Sequence, residues 1–334
     1  MTAMPSRINK TEPPLSRRDF LVKSALTSSL ALGAGALGFA LKSDKPVRRG
    51  AEKIRILKDF RAPPSPTLPA LALVRGQDVD RMVRAAVEKL GGIKRFIKPG
   101  DKVLIKPNVG WDRQPEQAAN TNPEVVAAVV KLCREAQAEQ ILVTDGSINN
   151  PHRSFARSGI EKAAQDAGAE VRFATVRDFT LTDMKGQILK IWPVSRFYHE
   201  ADKIINIPLV KHHSLSRCTI AMKNWYGVLG GRRNRLHQSI DVSIADLASA
   251  LRPTLTVVDA TRVLMRNGPT GGNLADVAVM NTVLAGTDEV ALDSRALEFL
   301  KLRPDQVPFL GMGEKRGLGK IDWKSQGYAE LQLG

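Results

Sequence analysis

Charged and imidazole side chains follow several apolar runs of this chain, at the positions where the runs predict that strands end. Lys106, Asp145 and Asp259 each come directly after such a run, and His212 and His213 come shortly after another. Ligands of open parallel sheets bind beyond the carboxyl ends of the strands. A single aspartate there is more commonly a turn former or a helix cap, but several strand ends with such residues favour a site. We therefore predict one polar cleft at this edge of a sheet.

Four of these side chains are the candidate catalytic groups: Lys106, Asp145, His212 and His213. Lys106 could neutralise a carboxylate or phosphate, or act as a base if burial lowers its pKa, and a solvated strand end is the alternative. The two histidines are adjacent, so on a regular strand they point to opposite faces and cannot easily share one metal ion. One of them is then a ligand or a general acid, and the other packs against the fold.

The candidate ligand-binding residues include three polar side chains at strand and helix ends. Asn108 and Asp259 follow predicted strands, where Asp259 could orient a ligand or a metal ion. Asn122 precedes a predicted helix as its N-cap, and Pro123 takes the first helical position. Capping is therefore the alternative function of Asn122.

A glycine-rich segment between residues 222 and 237 has the composition of an anion cradle. Lys223 and Asn224 open it and Arg232 follows its last glycines; exposed N–H groups and guanidinium groups both suit phosphate or carboxylate. A basic surface loop is the alternative, and the glycine spacing fits neither a Walker loop nor a dinucleotide fingerprint. Gly271 lies in a second such loop, residues 267–273, which is either a lid over the site or a plain turn.

Composition restricts the classes of partner. The 334 residues carry a formal net charge of +16, with 43% hydrophobic and 25% charged residues, as in a soluble globular protein. The basic charge is a solvated surface, or it attracts an anionic ligand or an acidic membrane face. Aromatic residues make up 5% and no binding motif is found, so nucleic acid is not an expected partner. The two cysteines, Cys133 and Cys218, are too few for a four-cysteine iron–sulfur cluster, and the identity of any other cofactor stays open.

The first 41 residues have the pattern of an export signal. Adjacent arginines, Arg17 and Arg18, precede Phe20 and an uncharged run that ends at Leu41, which resembles a twin-arginine signal. Glycine, serine and alanine dilute the run, although a membrane anchor stays the alternative. We expect the twin-arginine translocation machinery as a partner, export in the folded state and a periplasmic or extracytoplasmic location. Membrane contact is expected only through an uncleaved signal.

The rest of the chain predicts a tether and one domain. Residues 42–69 carry mixed charges and end in a proline-rich stretch, which predicts a disordered tether. Apolar runs and helical periodicity then alternate over residues 70–334, which predicts a single α/β domain: a mostly parallel sheet with helices on both faces and an irregular second half. The expected strands are 70–74, 102–106, 141–144, 171–174, 203–208, 255–259 and 280–285, and the expected helices are 79–90, 123–133, 154–167, 244–251 and 290–300.

Six short motifs together resemble a bacterial and archaeal family catalogued as domain of unknown function 362, over about residues 73–313. The resemblance implies an α/β fold, but the chemistry of the family is largely unassigned. Many members carry ferredoxin-like iron–sulfur segments, for which this chain lacks the cysteines, and some members carry a twin-arginine signal. The motifs are Val103–Asn108, Thr121–Val126, Val143–Gly146, Lys203–Pro208, Met222–Asn224 with Gly227, and Ala285–Asp293.

Three functions remain open from the sequence. The first is an exported protein that binds and acts on a small anionic ligand, with Lys106, Lys223 and Arg232 holding the anion. The second is a metal- or cofactor-dependent enzyme that is loaded before export, with histidine and aspartate donors. The third is a non-catalytic solute-binding or surface protein on a tether.

Overall fold

Strands and helices alternate through the first half of the folded chain and become less regular in the second half, as the sequence predicts. The computed structural model describes Ser16, Arg18, Val22 and residues 53–334. Apart from those three residues, the signal expected over residues 1–41 and the first part of the expected tether lie outside the described residues. Lys53–Gly334 form one compact unit.

The strands of this unit belong to one large and one small sheet. The small sheet has the order β1-β6-β7, and the other strands form the large sheet. The strands are β1 (Arg55–Ile56), β2 (Leu71–Arg75), β3 (Lys102–Pro107), β4 (Gln140–Val143), β5 (Glu170–Val171), β6 (Phe179–Asp183), β7 (Ile191–Ser195), β8 (Lys203–Ile207), β9 (Leu209–His213), β10 (Arg217–Thr219), β11 (Leu255–Leu264), β12 (Val277–Gly286) and β13 (Tyr328–Gln332).

Short α-helices and several 3-10 turns connect the strands. In the part of the chain that is described, no helix has the length and apolar content needed to cross a membrane. The α-helices are α1 (Val79–Lys89), α2 (Ile93–Phe96), α3 (Pro123–Glu135), α4 (Pro151–Arg157), α5 (Ile160–Asp166), α6 (Phe197–Glu200), α7 (Ala221–Asn224), α8 (Ile240–Ala250), α9 (Glu289–Ala296) and α10 (Pro308–Lys315).

The large sheet is mostly parallel. Its order is β13-β2-β12-β11-β8-β3-β4-β5, with β9 beside β11 and β10 beside β9. Strands β11, β8, β3, β4 and β5 run parallel to one another, whereas β12 is antiparallel to both of its neighbours. The predicted α/β class with a mostly parallel sheet is therefore confirmed. Parallel strands place their carboxyl ends at one edge, which is the edge that carries the polar residues.

Helices cover both faces of the sheet because each central strand is apolar on both faces. On β3, Leu104 packs into a core with α8, α9 and α10. Its neighbours Val103 and Ile105 point to the opposite face and pack with α1, α3 and α5. Full burial of such a side chain contributes about 1.5–3 kcal/mol. Two cores of this kind hold the strand ends, and therefore the site, in fixed positions.

The helix expected over residues 154–167 is divided in two. Gly159 lies between α4 and α5 with a φ of 73°, in the left-handed region that favours glycine. Asn150 caps α4 by accepting a hydrogen bond from the backbone N–H of Arg153. The apolar periodicity of the segment did not reveal this break, because both halves pack on the same face of the sheet.

The segment 53–69 differs from the expected disordered tether. Phe60 is 3% exposed and belongs to the core that contains α8. Its backbone N–H donates to the carbonyl of Arg252 (3.1 Å), and the hydroxyl of Thr254 donates to its carbonyl (2.7 Å). Strand β1 also pairs with β6. The folded unit therefore begins earlier than residue 70, because one aromatic side chain anchors a segment that is otherwise polar and proline-rich.

Candidate functional site

A cavity of about 320 Å³ lies at the carboxyl ends of β3, β4 and β9. Asn108 follows β3, Asp145 follows β4, and Lys211 and His213 belong to β9. Helix α7 and the segment after it supply the opposite wall. The residues from that wall are Lys223, Asn224, Tyr226, Gly227, Arg233, Asn234 and His237.

Lys106 and Asp145 form a buried ion pair at the base of this site. The Nζ of Lys106 lies 2.6 Å from Oδ1 of Asp145, and the two side chains are 1% and 4% exposed. The carboxylate also accepts the backbone N–H groups of Val109 (2.7 Å) and Gly146 (2.9 Å). Burial lowers the pKa of Lys106, and the charge of Asp145 opposes that shift. Asp145 lines the cavity, whereas Lys106 lies behind it.

Gly227 closes over this ion pair, and only glycine fits there. A Cβ at Gly227 would lie 1.8 Å from Oδ1 of Asp145 and 2.8 Å from Nζ of Lys106. The carbonyl of Gly227 also accepts the N–H of Gly146 (2.9 Å). Gly227, one of the glycines of the predicted anion cradle, therefore allows the backbone to approach the ion pair.

Lys211 is a second buried lysine, and neutral oxygens are its hydrogen-bond partners. Its Nζ donates to Oδ1 of Asn108 (2.9 Å) and to the carbonyl of Ala119 (2.6 Å). Burial, and then the charge of Lys223, lower the pKa of Lys211 to about 7. The sequence analysis assigned no role to Lys211, because its burial depends on the packing of residues about 100 positions away, at Asn108 and Ala119.

Lys223 is the third buried lysine and is 7% exposed. Within residues 53–334 its Nζ has neither a hydrogen bond nor an ion pair, and it lies 4.8 Å from the centroid of the Tyr226 ring. Burial lowers the pKa of Lys223 to about 8, and the charge of Arg233 adds to that shift. This amine therefore faces the cavity with its hydrogen-bonding capacity unused by the described residues.

Two asparagines, Asn108 and Asn224, connect Lys106 with Lys211. The side-chain amide of Asn108 donates to Oδ1 of Asn224 (2.9 Å), and Lys106 donates to the same oxygen (3.3 Å). The amide of Asn224 in turn donates to Oδ1 of Asn206 (2.8 Å). A continuous buried network therefore runs from Asp145 to Lys211, and such networks fix side-chain positions when each member has a partner.

The two histidines point in different directions, as the strand geometry predicts. Nδ1 of His213 accepts the N–H groups of Leu215 (3.1 Å) and Ser216 (3.3 Å), which assigns the ring proton to Nε2. Burial, followed by the charges of nearby lysines, lowers the pKa of His213 to about 2. His213 lines the cavity as a neutral donor, whereas His212 accepts the N–H of Gly268 (3.1 Å) and is not a lining residue.

Asp259 and Asn122 have structural partners and do not line the cavity. Asp259 accepts the backbone N–H of Asn122 (2.8 Å) and both the N–H and hydroxyl of Thr261. Asn122 caps α3 by accepting the N–H of Glu124 (3.0 Å). The structure therefore does not bring Asp259 into the expected cleft. Asp259 instead holds the start of helix α3 through Asn122. Burial raises the pKa of Asp259.

Arg232 and Gly271 also lie away from the cavity lining. Arg232 is exposed, whereas its neighbour Arg233 lines the cavity and donates to the carbonyls of Gly146 (2.8 Å) and Ser147 (3.0 Å). From the loop that contains Gly271, Pro269 reaches the lining. The run of basic residues predicted a cation in this segment, but the sequence did not indicate which of the adjacent arginines, Arg232 or Arg233, lines the cavity.

The sequence did not single out two aromatic side chains of the lining. Tyr226 and His237 stack with ring centroids 5.7 Å apart and an angle of 6° between their planes. Their positions within the glycine-rich segment 222–237 were the one sequence feature that could have indicated that they line the site. No group of three or more histidine, cysteine, aspartate or glutamate side chains that could hold a metal ion occurs in the part of the chain described by the structure.

One curated relative and two solved structures resemble this chain. A thylakoid-associated protein of Synechocystis sp. is 28% identical over 263 residues, which cover 75% of this chain and 80% of that protein. The lactate racemase apoprotein from Thermoanaerobacterium thermosaccharolyticum has a TM-score of 0.39 and 12% identity over 68% of this chain. A structural-genomics protein from Thermotoga maritima has a TM-score of 0.38 and 11% identity over 72% of this chain.

The matches to the two solved structures are partial and weak. This chain spans 56% of the racemase chain and 60% of the Thermotoga chain.

The family resemblance in the strand-end motifs is confirmed by a family match over the same region. The family described as domain of unknown function, DUF362, matches residues 103–298. That span is more than half of the chain, and it includes the ion pair, Lys211, Lys223 and both histidines. The chain belongs to the DUF362 family.

Proposed function

We propose that this protein binds a small anion, with a carboxylate or phosphate group, in the strand-end cavity. The observation that supports this is a pair of buried lysines, Lys211 and Lys223, which line one cavity without a carboxylate partner among residues 53–334. Burying a cation costs free energy unless a counter-charge compensates it. Asp145, the carboxylate of the described lining, already compensates Lys106. An anion from outside would supply the missing charge.

Two further groups of the lining suit the same ligand. Arg233 donates to backbone carbonyls, so its guanidinium adds positive charge without bringing a carboxylate into the cavity. His213 offers a neutral Nε2–H donor. In this proposal Lys211, Lys223 and Arg233 attract the anion and His213 orients it. Lys106 and Asp145 hold the wall in place.

The test is calorimetric titration of the full chain with inorganic phosphate and with acetate. We expect saturable binding of at least one of them, and a loss of about tenfold or more in affinity for Lys223→Met and for Lys211→Met, since each removes one desolvated cation, worth about 1.4 kcal/mol or more. Lys162→Met is the matched control because Lys162 is exposed and pairs with Asp166 on the surface. Equal affinity in all three variants, or no binding by the unchanged chain, would contradict the proposal.

We also propose that the protein is exported through the twin-arginine route. The support is the sequence alone: Arg17, Arg18 and the uncharged run that follows them. A variant with Arg17→Lys and Arg18→Lys keeps the charge but loses the arginine pair. We expect this variant to stay in the cytoplasmic fraction of its native host, whereas the unchanged chain is recovered outside the cytoplasm. The same distribution for both chains would contradict this route.

A further inference from the structure

We propose that the anion carries an electrophilic carbonyl group, as an oxo acid does, and that the amine of Lys223 forms a Schiff base with it. This inference rests on the proposed anion site and adds the chemical class of the ligand. It also assigns a covalent step to Lys223, which would contribute only its positive charge if the site did no more than bind an anion.

The three buried lysines differ in what holds their amines. Lys106 is bound to Asp145, and Lys211 donates to two oxygen acceptors. Lys223 has no acceptor among residues 53–334, and its Nζ lies 4.8 Å from the centroid of the Tyr226 ring. Its nitrogen is therefore free to direct a lone pair at a carbonyl carbon, whereas the amines of Lys106 and Lys211 are held in place by their acceptors.

The surroundings of Lys223 favour the neutral amine that such an attack requires. A lysine becomes nucleophilic when it is desolvated or lies beside another cation, and both conditions hold here. Lys223 is buried, and Arg233 and Lys211 are its cationic neighbours in the lining. The pKa of about 8 leaves a usable neutral fraction near neutral pH.

Lys211 and His213 would bind different parts of an oxo acid. The carboxylate of an oxo acid would lie against Lys211, which is anchored by Asn108 and Ala119 and keeps one N–H free. The Nε2–H of His213 would donate to the carbonyl oxygen and increase the electrophilicity of its carbon. The carboxylate would hold Lys211 in its protonated form, so the lining offers one anchored lysine for the carboxylate, one neutral donor and one free amine.

The proposed step is balanced without a further reactant. The lone pair of Nζ forms a bond to the carbonyl carbon, and one of the two amine protons moves to the carbonyl oxygen to give a carbinolamine. Loss of the hydroxyl group together with the second amine proton, as water, leaves a C=N bond to Lys223. One water molecule is released, and nothing is oxidised or reduced.

The experiment traps this bond with glyoxylate as the probe. The full chain is incubated with glyoxylate and sodium cyanoborohydride, which reduces an imine to a stable carboxymethyl amine, and the modified residue is located by peptide mass spectrometry. We expect the adduct at Lys223 to exceed that at exposed lysines such as Lys162 in the unchanged chain. Lys223→Arg should lose the adduct while keeping a positive charge, and Lys162→Arg should keep it.

Each outcome has a distinct meaning. An adduct spread over surface lysines, or one that persists in the cavity of Lys223→Arg, overturns the inference. Acetaldehyde trapped as efficiently as glyoxylate overturns the anionic class of the ligand. Phosphate or acetate binding without any glyoxylate adduct removes the Schiff base and leaves the anion site intact, whereas the absence of both removes the proposed function as well. Mapping in the unchanged chain gives the answer even if Lys223→Arg does not fold.

Discussion

At the scale of single residues, the site contrasts a lysine that has its counter-charge with two that do not. Lys106 and Asp145 are both buried and bonded to each other. Replacing such a pair by apolar groups is often neutral, whereas removing one member leaves an uncompensated buried charge. Lys211 and Lys223 already have no carboxylate partner among residues 53–334. The Lys106–Asp145 ion pair therefore stabilises the fold, whereas Lys211 and Lys223 have charges that no described carboxylate pairs with.

The ion pair predicts a specific pattern of stability. Asp145→Asn should lower the free energy of unfolding by about 3–5 kcal/mol, because the Lys106 ammonium then lacks its counter-charge. The double variant Lys106→Met with Asp145→Asn should lose less than the sum of the two single changes. Urea denaturation measures all three, and Lys162→Met should lie within about 0.5 kcal/mol of the unchanged chain. Strict additivity of the two changes would show that the pair is not coupled.

The lowered pKa of Lys211 predicts how stability varies with pH. Its pKa is about 7 in the folded chain against an ordinary value of 10.5. Between those values the unfolded chain binds more protons, so the free energy of unfolding should rise with pH, by up to roughly 1.4 kcal/mol per unit from this residue. The contribution is complete above pH 10.5 and is lost as the pH falls towards 7.

Lys211→Met tests this dependence because methionine does not titrate. Urea denaturation at a series of pH values from about 7 to about 9 should give a shallower slope for Lys211→Met than for the unchanged chain. The change also removes the donor to Asn108 and Ala119, so the absolute stability will shift, but a structural loss alone would not alter the slope. Equal slopes for the two chains would count against a lowered pKa.

At the scale of elements, helix α7 presents Lys223 and Asn224 to the cavity although it is only four residues long. So short a helix is not stable by itself. Asp293, on α9, accepts the N–H groups of Ala221 (2.7 Å) and Met222 (3.1 Å) at its start. The buried carboxylate of Asp293 on α9 therefore positions the free amine of Lys223 on α7. This contact gives a reason for Asp293, which lies inside α9 and does not cap it.

Asp293→Asn should weaken both the fold and the site. The amide can accept only one of the two N–H groups well, so we expect a loss of about 1.5–3 kcal/mol in unfolding free energy together with weaker phosphate or acetate binding. Asp288→Ala is the matched control, because Asp288 caps the same helix α9 and its described hydrogen bonds come from the N–H groups of Ala291 and Lys320, not from α7. It should cost about 0.5–2 kcal/mol and leave anion affinity unchanged. Equal effects of both variants on affinity would contradict the positioning role.

The elements also show which parts of the structure local sequence can predict. Asn122 and Pro123 predicted the start of α3 because capping involves neighbouring residues. The pairing of β13 with β2, and the extension of β11 and β12 into a long antiparallel pair, join residues distant in sequence, so no local pattern revealed them. The same limit applies to the cavity: Asp145 and His213, chosen because they follow predicted strands, line it, whereas Asp259 is held by a contact with Asn122 that no local pattern indicated.

At the scale of the whole molecule, the sheet is covered by two cores, and one of them includes a residue from the segment expected to be a tether. Phe60 packs with the core of α8, α9 and α10, which also supports α7. Residues 53–69 therefore belong to the same folded unit as the cavity. The physical boundary of the domain follows from the burial of Phe60 and the pairing of β1 with β6 rather than from the composition of the segment, which is rich in proline and charge.

Two truncations of the chain test that boundary. A chain of residues 53–334 is the reference, because it keeps both cores. A chain of residues 70–334 should lose roughly 3–5 kcal/mol, the cost typical of removing a buried phenylalanine, since Thr254 and Arg252 also lose their bonds to Phe60. Phe60→Ala in the full chain should reproduce most of that loss. If 70–334 is as stable as 53–334, Phe60 does not anchor the segment, and the tether extends to residue 69.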